Sequence, residues 1–391
     1  MKKVAHLMRK FLPGTASFIY NQIIYHEEYS PHIVYCERSE SVFRKRLLAR
    51  HLTYQAVHGW LGQRAYRYLR MLTAAEEKQL IIYLQEQQTD LLHIHYGVDA
   101  LVYADLIRKL DLPVLVSFYG YDCTSFPNRF RGGGKKWLQQ KLFDNPAITA
   151  YTAMSPDMKN DLLKLGCPKE KIIVHYHGSD PKPFYRERSY EDKEEIHFLI
   201  ISSLTEKKGH LFLLKAFQQA QQRTSKHLHL HIVGKGESEK QIRDFIADQD
   251  LKNVYLPGAI DYGSDQHHQL LEQADVFVHP SITTVQGEKE GIPGALIESR
   301  SSGLPVVTTR HAGIPYIVKH GVTGLMADEN DVDALADHML ALSEDADLRK
   351  TIGKAGQQFT LQELDVAKKE KDLEKIYNQL LKHHEVESMQ I

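Results

Sequence analysis

At 391 residues, with 42% hydrophobic and 25% charged positions and a formal net charge of −1, the chain is too long for one core. It has neither the bias of a disordered tail nor, with three cysteines, the density of a disulfide scaffold. The near-neutral total hides a division: residues 1–180 carry 24 Lys and Arg against 17 Asp and Glu (+7), leaving 25 against 33 (−8) for the rest. A basic first half implies an anionic partner there. Cys36, Cys123 and Cys167 are odd in number and widely spaced, which fits reduced thiols in a cytoplasmic protein and offers no metal-ligand pattern. Arg9 and Lys10 break the first apolar run, so no signal peptide is expected. No run reaches the roughly 20 apolar residues of a membrane span, so any membrane contact is expected to be peripheral.

In chain order, Val4 to Met8 reads as a buried strand, Pro13-Gly14-Thr15 as a turn, Ser17 to Glu28 as an amphipathic helix and Ile33–Tyr35 as a second strand. Strand, helix and strand joined by short connections open a parallel α/β sheet. Residues 38–70 set eight basic residues against the single acid Glu40, interleaved with Phe43, Trp60, Tyr66 and Tyr68. That composition suits either solvated helices with snorkelling arginines or a surface facing anionic lipid head groups. Further strands are expected at Leu91–His95, Val114–Phe118, Ala147–Ala153 and Ile172–His175. Ser155-Pro156 supplies the cap and first-turn proline of a helix. His93 and His95 share one face of their strand; with no carboxylate or cysteine at ligand spacing they read as satisfied core or cleft histidines. His267, His268, His383 and His384 read as surface residues.

Pro181, Pro183 and the charged run Tyr190–Glu195 read as a linker, and the alternation of strand and helix restarts after it. Strands are expected at Ile196–Ser202, Leu228–Val233, Val254–Leu256, Val276–His279 and Val306–Thr309, with helices between them. The expected organisation is a first Rossmann-like domain over 1–185, a second over 186–360 and a helical tail over 361–391. Leu364, Leu373, Ile376, Tyr377 and Leu380 are the tail's candidate packing stripe. Two such sheets leave a cleft between them for a ligand.

The chemistry concentrates in Gly287–Ser302. Glu290 and Glu298 bracket Gly291-Ile292-Pro293-Gly294-Ala295-Leu296-Ile297, a helix start whose free N–H groups and dipole favour phosphate. Carboxylates beside it suit sugar hydroxyls, and phosphate with sugar implies a nucleotide-sugar. Gly234-Lys235-Gly236 follows a strand, but Glu239 stands where a dinucleotide fingerprint needs its third glycine, which disfavours a nicotinamide dehydrogenase. Lys208, beside Gly209 after the first strand of the second domain, can reach a phosphate.

Six motifs in order (Glu206-Lys-Lys-Gly209, Val233-Gly-Lys-Gly236, Ala274–Ser281, Glu290–Glu298, Ser302–Val307 and Gly321–Leu325) cover nearly all of residues 196–343. With them the chain resembles the family 4 retaining glycosyltransferases, which have the GT-B fold of two Rossmann-like α/β domains facing each other across a cleft, here with a C-terminal helix that can cross back to the first. The form of the Glu290–Glu298 motif resembles the branch that builds capsule, colanic-acid-type and other exopolysaccharides. The resemblance implies that Glu298 holds the ribose hydroxyls, Lys208 neutralises the diphosphate and Glu290 sits near the sugar and the reacting face. It implies phosphate and sugar contacts around Gly291, Ile292, Pro293, Gly294, Ala295 and Leu296, a turn at Gly234 and the base beside Gly258, Ala259 and Ile260. From the first domain it implies cleft positions at Gly14, Thr15, Tyr119 and Asp122. No metal or other cofactor is expected.

Three positions depart from the family. Ser203 stands where an arginine usually helps with the diphosphate, Tyr119 where a histidine is common, and Tyr316 where Gly-x-Pro-Glu ends in glutamate. The expected activity is transfer of a hexose from a UDP- or GDP-sugar to a hydroxyl of a glycan, with a lipid-linked acceptor, at the inner face of the cell membrane and with no nucleic-acid partner. The alternatives are a nucleotide-sugar-binding protein impaired in transfer and another GT-B enzyme such as an epimerase.

Overall fold

A computed structural model describes residues 1–11, 17–37, 53–55 and 71–388. The Gly14-Thr15 turn, and the basic aromatic stretch 38–70 apart from 53–55, lie outside the described residues. The chain forms two compact units, Met1–Gly178 with Val366–Ile391, and Ser179–Asp365. The divide falls ahead of the Tyr190–Glu195 run because Phe184 is already buried in the second unit, its ring 5.1 Å from that of His267.

The first unit is built on β1 (Lys2–Lys10), α1 (Ser17–Ile24), β2 (Tyr29–Glu37), β3 (Thr53–Gln55), α2 (Ala74–Glu86), β4 (Leu91–His95), α3 (Gly97–Ile107), β5 (Val114–Phe118), α4 (Arg129–Trp137), β6 (Ala150–Ala153), α5 (Pro156–Lys164) and β7 (Ile172–Val174). Its seven strands are parallel, in the order β3-β2-β1-β4-β5-β6-β7. Strands β4, β5 and β6 are buried throughout, as parallel strands covered on both faces must be. Helix α2 starts at a capping box in which Thr73 Oγ1 accepts from Glu76 N–H and the Glu76 carboxylate answers Thr73 N–H.

The second unit comprises β8 (Glu195–Ile201), α6 (His210–Gln222), β9 (His227–Val233), α7 (Glu239–Asp248), β10 (Val254–Gly258), α8 (Asp265–Gln273), β11 (Val276–His279), α9 (Gly294–Ser301), β12 (Val306–Thr309), the single turn α10 (Ile314–Ile317), β13 (Leu325–Ala327), α11 (Val332–Glu344) and α12 (Ala346–Glu363). Its sheet is parallel with order β10-β9-β8-β11-β12-β13. In each sheet the strand order reverses beside its first strand, between β1 and β4 and between β8 and β11. Ligands of such sheets lie beyond the carboxyl ends of the strands at that reversal.

The tail is not one helix: α12 ends at Glu363, and α13 (Val366–Ser388) belongs to the first unit. Its face of Leu373, Ile376, Tyr377 and Leu380 packs on Val4, Tyr29, Leu91, Leu115 and Ala150. Leu364 is buried but precedes this helix. Among the described residues no helix is long and apolar enough to cross a membrane.

Candidate functional site

The loops after β8 and β11 meet at the second sheet's reversal point. Gly209 has φ +67°, and a Cβ there would lie 2.1 Å from the Pro280 carbonyl oxygen, so only glycine lets the two loops close. Ile282 N–H donates to Lys207 O at 2.9 Å and fastens them. This brings Lys208 to Glu290: its Nζ lies 2.7 Å from Oε1, with the two side chains only 13% and 9% exposed. A second pair, Lys207 Nζ to Glu288 Oε1 at 2.6 Å, lies beside it.

These four alternating charges fix the electrostatics. Burial alone would push the Glu290 carboxyl up, but Lys208 and then Lys207 outweigh it and hold the group at about 2. Burial works against the Lys207 ammonium as well, yet Glu290 and Glu288 keep it above its ordinary value. Below the pair, His279 is buried and neutral, pushed down to about 3 by desolvation and then by Lys208. Neither of its nitrogens, nor Ser281 Oγ, has a hydrogen-bond partner among the described residues.

The backbone of Glu290 is held from behind. Its N–H donates to His311 Nε2 at 3.0 Å, so that nitrogen carries a lone pair, and Nδ1–H donates to Glu329 Oε1 at 2.6 Å. Glu329 in turn accepts from Thr283 N–H at 2.7 Å. His311 and Glu329 were not singled out in the sequence, because their partners are 21 and 46 residues away along the chain. The Gly291 carbonyl packs on Gly313, where a Cβ would come within 2.6 Å.

Pro293 proves to be the N-cap of α9, with φ −68° and ψ 120°, and Gly294 the first helical residue. The amides of that first turn have no carbonyl four residues back within the helix. Leu296 and Ile292 are buried beneath them, while Gly291, Gly294 and Ala295 stay partly exposed. One turn in, Glu298 is 7% exposed, and burial pushes its carboxyl up to about 7, opposed only by a hydrogen bond from Tyr262. His267 Nε2 lies 3.9 Å from Glu298 Oε2. Gly263 N–H donates to His267 Nδ1, so the proton sits on Nε2 and faces the carboxylate. His267 is thus 3% exposed and part of the Glu298 surroundings, not a surface residue. The polar composition of α8 concealed this.

Gly234, at φ +150°, and Gly236 sit against the β8 loop: their Cβ atoms would lie 1.8 Å from Ser202 O and 2.3 Å from Leu204 O. These glycines serve close backbone packing. Gly258 ends β10 at φ +93°, with Ala259 and Ile260 following in the loop. Among the described residues Ser203 Oγ reaches Thr205 Oγ1, at 3.5 Å, and Arg310 pairs with Asp328 at 3.2 Å.

In the first unit, Asp122 is fully buried and its carboxylate accepts from the N–H groups of Gly97, Tyr119 and Gly120 at 2.9, 3.1 and 3.0 Å. It shapes the turn after β5, its carboxyl pushed up to about 6 by burial against those bonds. Tyr119, at the carboxyl edge of the sheet, directs its hydroxyl to His95 Nδ1 at 2.8 Å and Gln22 Oε1 at 3.1 Å. A cavity of ≈ 210 Å³ opens on the same edge, lined by Arg9, Ile19, Tyr96, Asp99 and Tyr121 among others.

Comparison with known proteins follows the same division. The model for glycosyl transferases group 1 matches residues 181–359, and that for glycosyltransferase family 4 matches residues 26–182. The amylovoran biosynthesis glycosyltransferase AmsK of Erwinia amylovora is 32% identical over 263 residues, 65% of this chain and 61% of that protein. The putative colanic acid biosynthesis glycosyltransferase WcaL of Escherichia coli K12 is 36% identical over 184 residues, 47% of this chain and 45% of its own length. The matches therefore span about half to three-fifths of these relatives. In architecture the chain is similar to Anabaena Alr3699/HepE, solved in complex with UDP, with a TM-score of 0.77 at 18% identity, covering 97% of this chain and 100% of that one. Two parallel Rossmann-like sheets, matched in turn by the two family models, make this chain a member of the family 4 glycosyltransferases with the GT-B fold, similar to the exopolysaccharide branch.

Proposed function

We propose that the protein transfers a hexose from a UDP- or GDP-sugar to a hydroxyl of a glycan acceptor, lipid-linked, in surface polysaccharide synthesis, with retention of the anomeric configuration. The observation that carries this is the buried Lys208–Glu290 pair at the β8/β11 reversal, followed directly by the start of α9 and by Glu298. Lys208, with Lys207 beside it, answers the charge that grows on the departing diphosphate, and the first amides of α9 receive its oxygens. Glu290 accepts sugar hydroxyls, and Glu298 accepts those of the ribose. Gly234 and the Gly258–Ile260 loop border the nucleotide. These are fixed charges and dipoles acting by position, with no metal assigned a step. The first unit takes the acceptor at the edge that carries Tyr119 and Asp122. The names of AmsK and WcaL, and the UDP bound by HepE, support the substrate class. The cytoplasmic face of the membrane is where such a donor and a lipid-linked acceptor meet.

The test is incubation with UDP- and GDP-hexoses, following nucleoside diphosphate release and the anomeric outcome by NMR. Turnover of one donor with retention is expected; absence of both turnover and binding across the set overturns the reading. Ser203, where the family usually has an arginine, and Tyr119, where it has a histidine, favour a second reading, a nucleotide-sugar-binding protein that does not transfer. Ser203→Arg separates the two: a large gain from a near-zero baseline supports the second.

A further inference from the structure

Among the described residues, two groups of side chains stand close enough to ligate one metal ion: His6, His93 and His95 in the first sheet, and Glu195, His197 and His229 in the second. The first group is already committed. His6, His93 and His95 are 0% exposed, and each of their ring nitrogens meets a hydrogen-bond partner. The second group is open to solvent, with the Glu195 and His197 side chains 65% and 31% exposed.

Strand alternation puts Glu195 and His197 of β8 on the same face of the sheet as His229 and His231 of β9, and the parallel register sets His197 beside His229. The two imidazoles stack, with ring centroids 4.6 Å apart and 14° between their planes. His197 Nε2 lies 4.0 Å from Glu195 Oε2. Asp275 fixes the backbone beneath: its carboxylate accepts from His197 N–H at 3.0 Å, and its own N–H donates to His197 O at 2.8 Å.

Each ring is held through its other nitrogen. His197 Nδ1 lies 3.2 Å from His231 Nε2, and His229 Nδ1 lies 3.2 Å from the Tyr255 hydroxyl. His231 in turn packs on Tyr255, ring centroids 4.8 Å apart. With a proton on each Nδ1, both rings donate to these partners and keep a lone pair on Nε2. Metal-bound histidines are oriented in this way, with one nitrogen on the ion and the other N–H on a polar neighbour. His229 Nε2 is buried and has no hydrogen-bond partner among the described residues. A bare buried nitrogen forfeits its hydration without a replacement, and a cation ligated there supplies one.

We propose that Glu195, His197 and His229 form a binding site for a divalent transition-metal ion of the Zn2+ class, with His231 and Tyr255 as positioning residues for the two imidazoles and water completing the coordination. Two imidazoles and a carboxylate suit such an ion, whereas Mg2+ and Ca2+ take oxygen ligands. Zinc–ligand bonds of about 2.0–2.1 Å place tetrahedral ligands about 3.4 Å apart. The three ligand atoms, now within 4.8 Å of one another, close to that spacing by a turn of the exposed Glu195 side chain and small ring rotations. Glu195 and His197 open β8, at the end of the strand away from the loop that carries Lys208. The ion therefore clamps the entering strand of the second sheet to its neighbour and takes no part in transfer, so the site stands apart from the transfer reading.

The test uses the full chain, stripped with EDTA and titrated with Zn2+ by calorimetry. One ion per chain with micromolar affinity is expected. His197→Gln and His229→Gln should each weaken binding about 100-fold, and Tyr255→Phe, which frees the His229 ring, roughly 10-fold. Saturating Zn2+ should raise the Tm of the wild-type chain and leave that of the His197→Gln/His229→Gln double variant unmoved. The chain has 22 histidines, so the location is also read without any substitution. Substoichiometric Co2+ should broaden the ring resonances of His197 and His229 ahead of all others in the NMR spectrum. No binding at micromolar Zn2+, affinity unchanged in both folded single variants, or Co2+ broadening that spares His197 and His229 overturns the site. Where a variant fails to fold, the broadening pattern decides.

Discussion

Lys208 and Glu290 are both nearly excluded from water, so neither tolerates the loss of the other. Lys208→Ala leaves a buried carboxylate and should cost about 3 kcal/mol of stability. The double variant with Glu290→Gln should recover much of that in urea unfolding, while both lose about 100-fold or more in turnover. Glu298 makes the opposite demand. Its folded-state value of about 7 lies above that of a free carboxyl, so the folded state holds the proton more tightly. The resulting stabilisation is present at low pH and is lost as pH rises from the unfolded value through about 7. Glu298→Gln should therefore be more stable than the wild type at pH 8, by up to about 3 kcal/mol, and equal to it below pH 4, while losing nucleotide affinity. At this scale the sequence revealed the residues that share a motif and concealed those that share only space. Glu290, Glu298 and Lys208 stand in recognisable strings, whereas His311, Glu329, Tyr262 and His267 support them from loops and helices with no local signature.

Among the elements, the parallel strands were legible because burial on both faces leaves continuous apolar runs, as in Val114–Phe118. Helix α12 was not read: Gly353 and Gly356 interrupt its pattern, and both are needed where the helix presses on Gly303, Tyr190 and Thr323. The buried histidine cluster of β1 and β4 was half visible, since His93 and His95 alternate on one strand. His6 joins them only because the sheet order sets β1 beside β4, in register at His6 and His93. The turn between α1 and β2 depends on α13 in the same non-local way, three backbone N–H groups converging on Glu374 Oε1. Glu374→Ala strands those donors and should destabilise the chain by about 3 kcal/mol, with faster hydrogen exchange at Glu27–Tyr29 as the local marker.

For the molecule as a whole, the consequential feature is that the last helix completes the first unit. Deleting residues 366–391 uncovers Val4, Tyr29, Leu91, Leu115 and Ala150 together. Hydrogen exchange should then show protection lost across β1–β7 and kept across β8–β13. Two α/β sheets were legible from the restart of the strand–helix alternation after the linker, and the GT-B fold from the resemblance carried by six motifs. Where the tail docks was not, because an amphipathic helix declares that it has a partner but not which one. The contacts it makes are also among the most distant the chain can form: His93 to Tyr377 spans 284 residues, and Glu28 to Asn378 spans 350. A ribosome delivers the chain from its first residue onward, so the unit begun first cannot close until the last helix has emerged. The second unit, contiguous in sequence, has everything it needs earlier. While the second unit, Ser179–Asp365, is being made, the chain therefore carries an N-terminal sheet with an open apolar face. That interval, more than the stability of the finished fold, is when the chain is most exposed to aggregation and most dependent on chaperones.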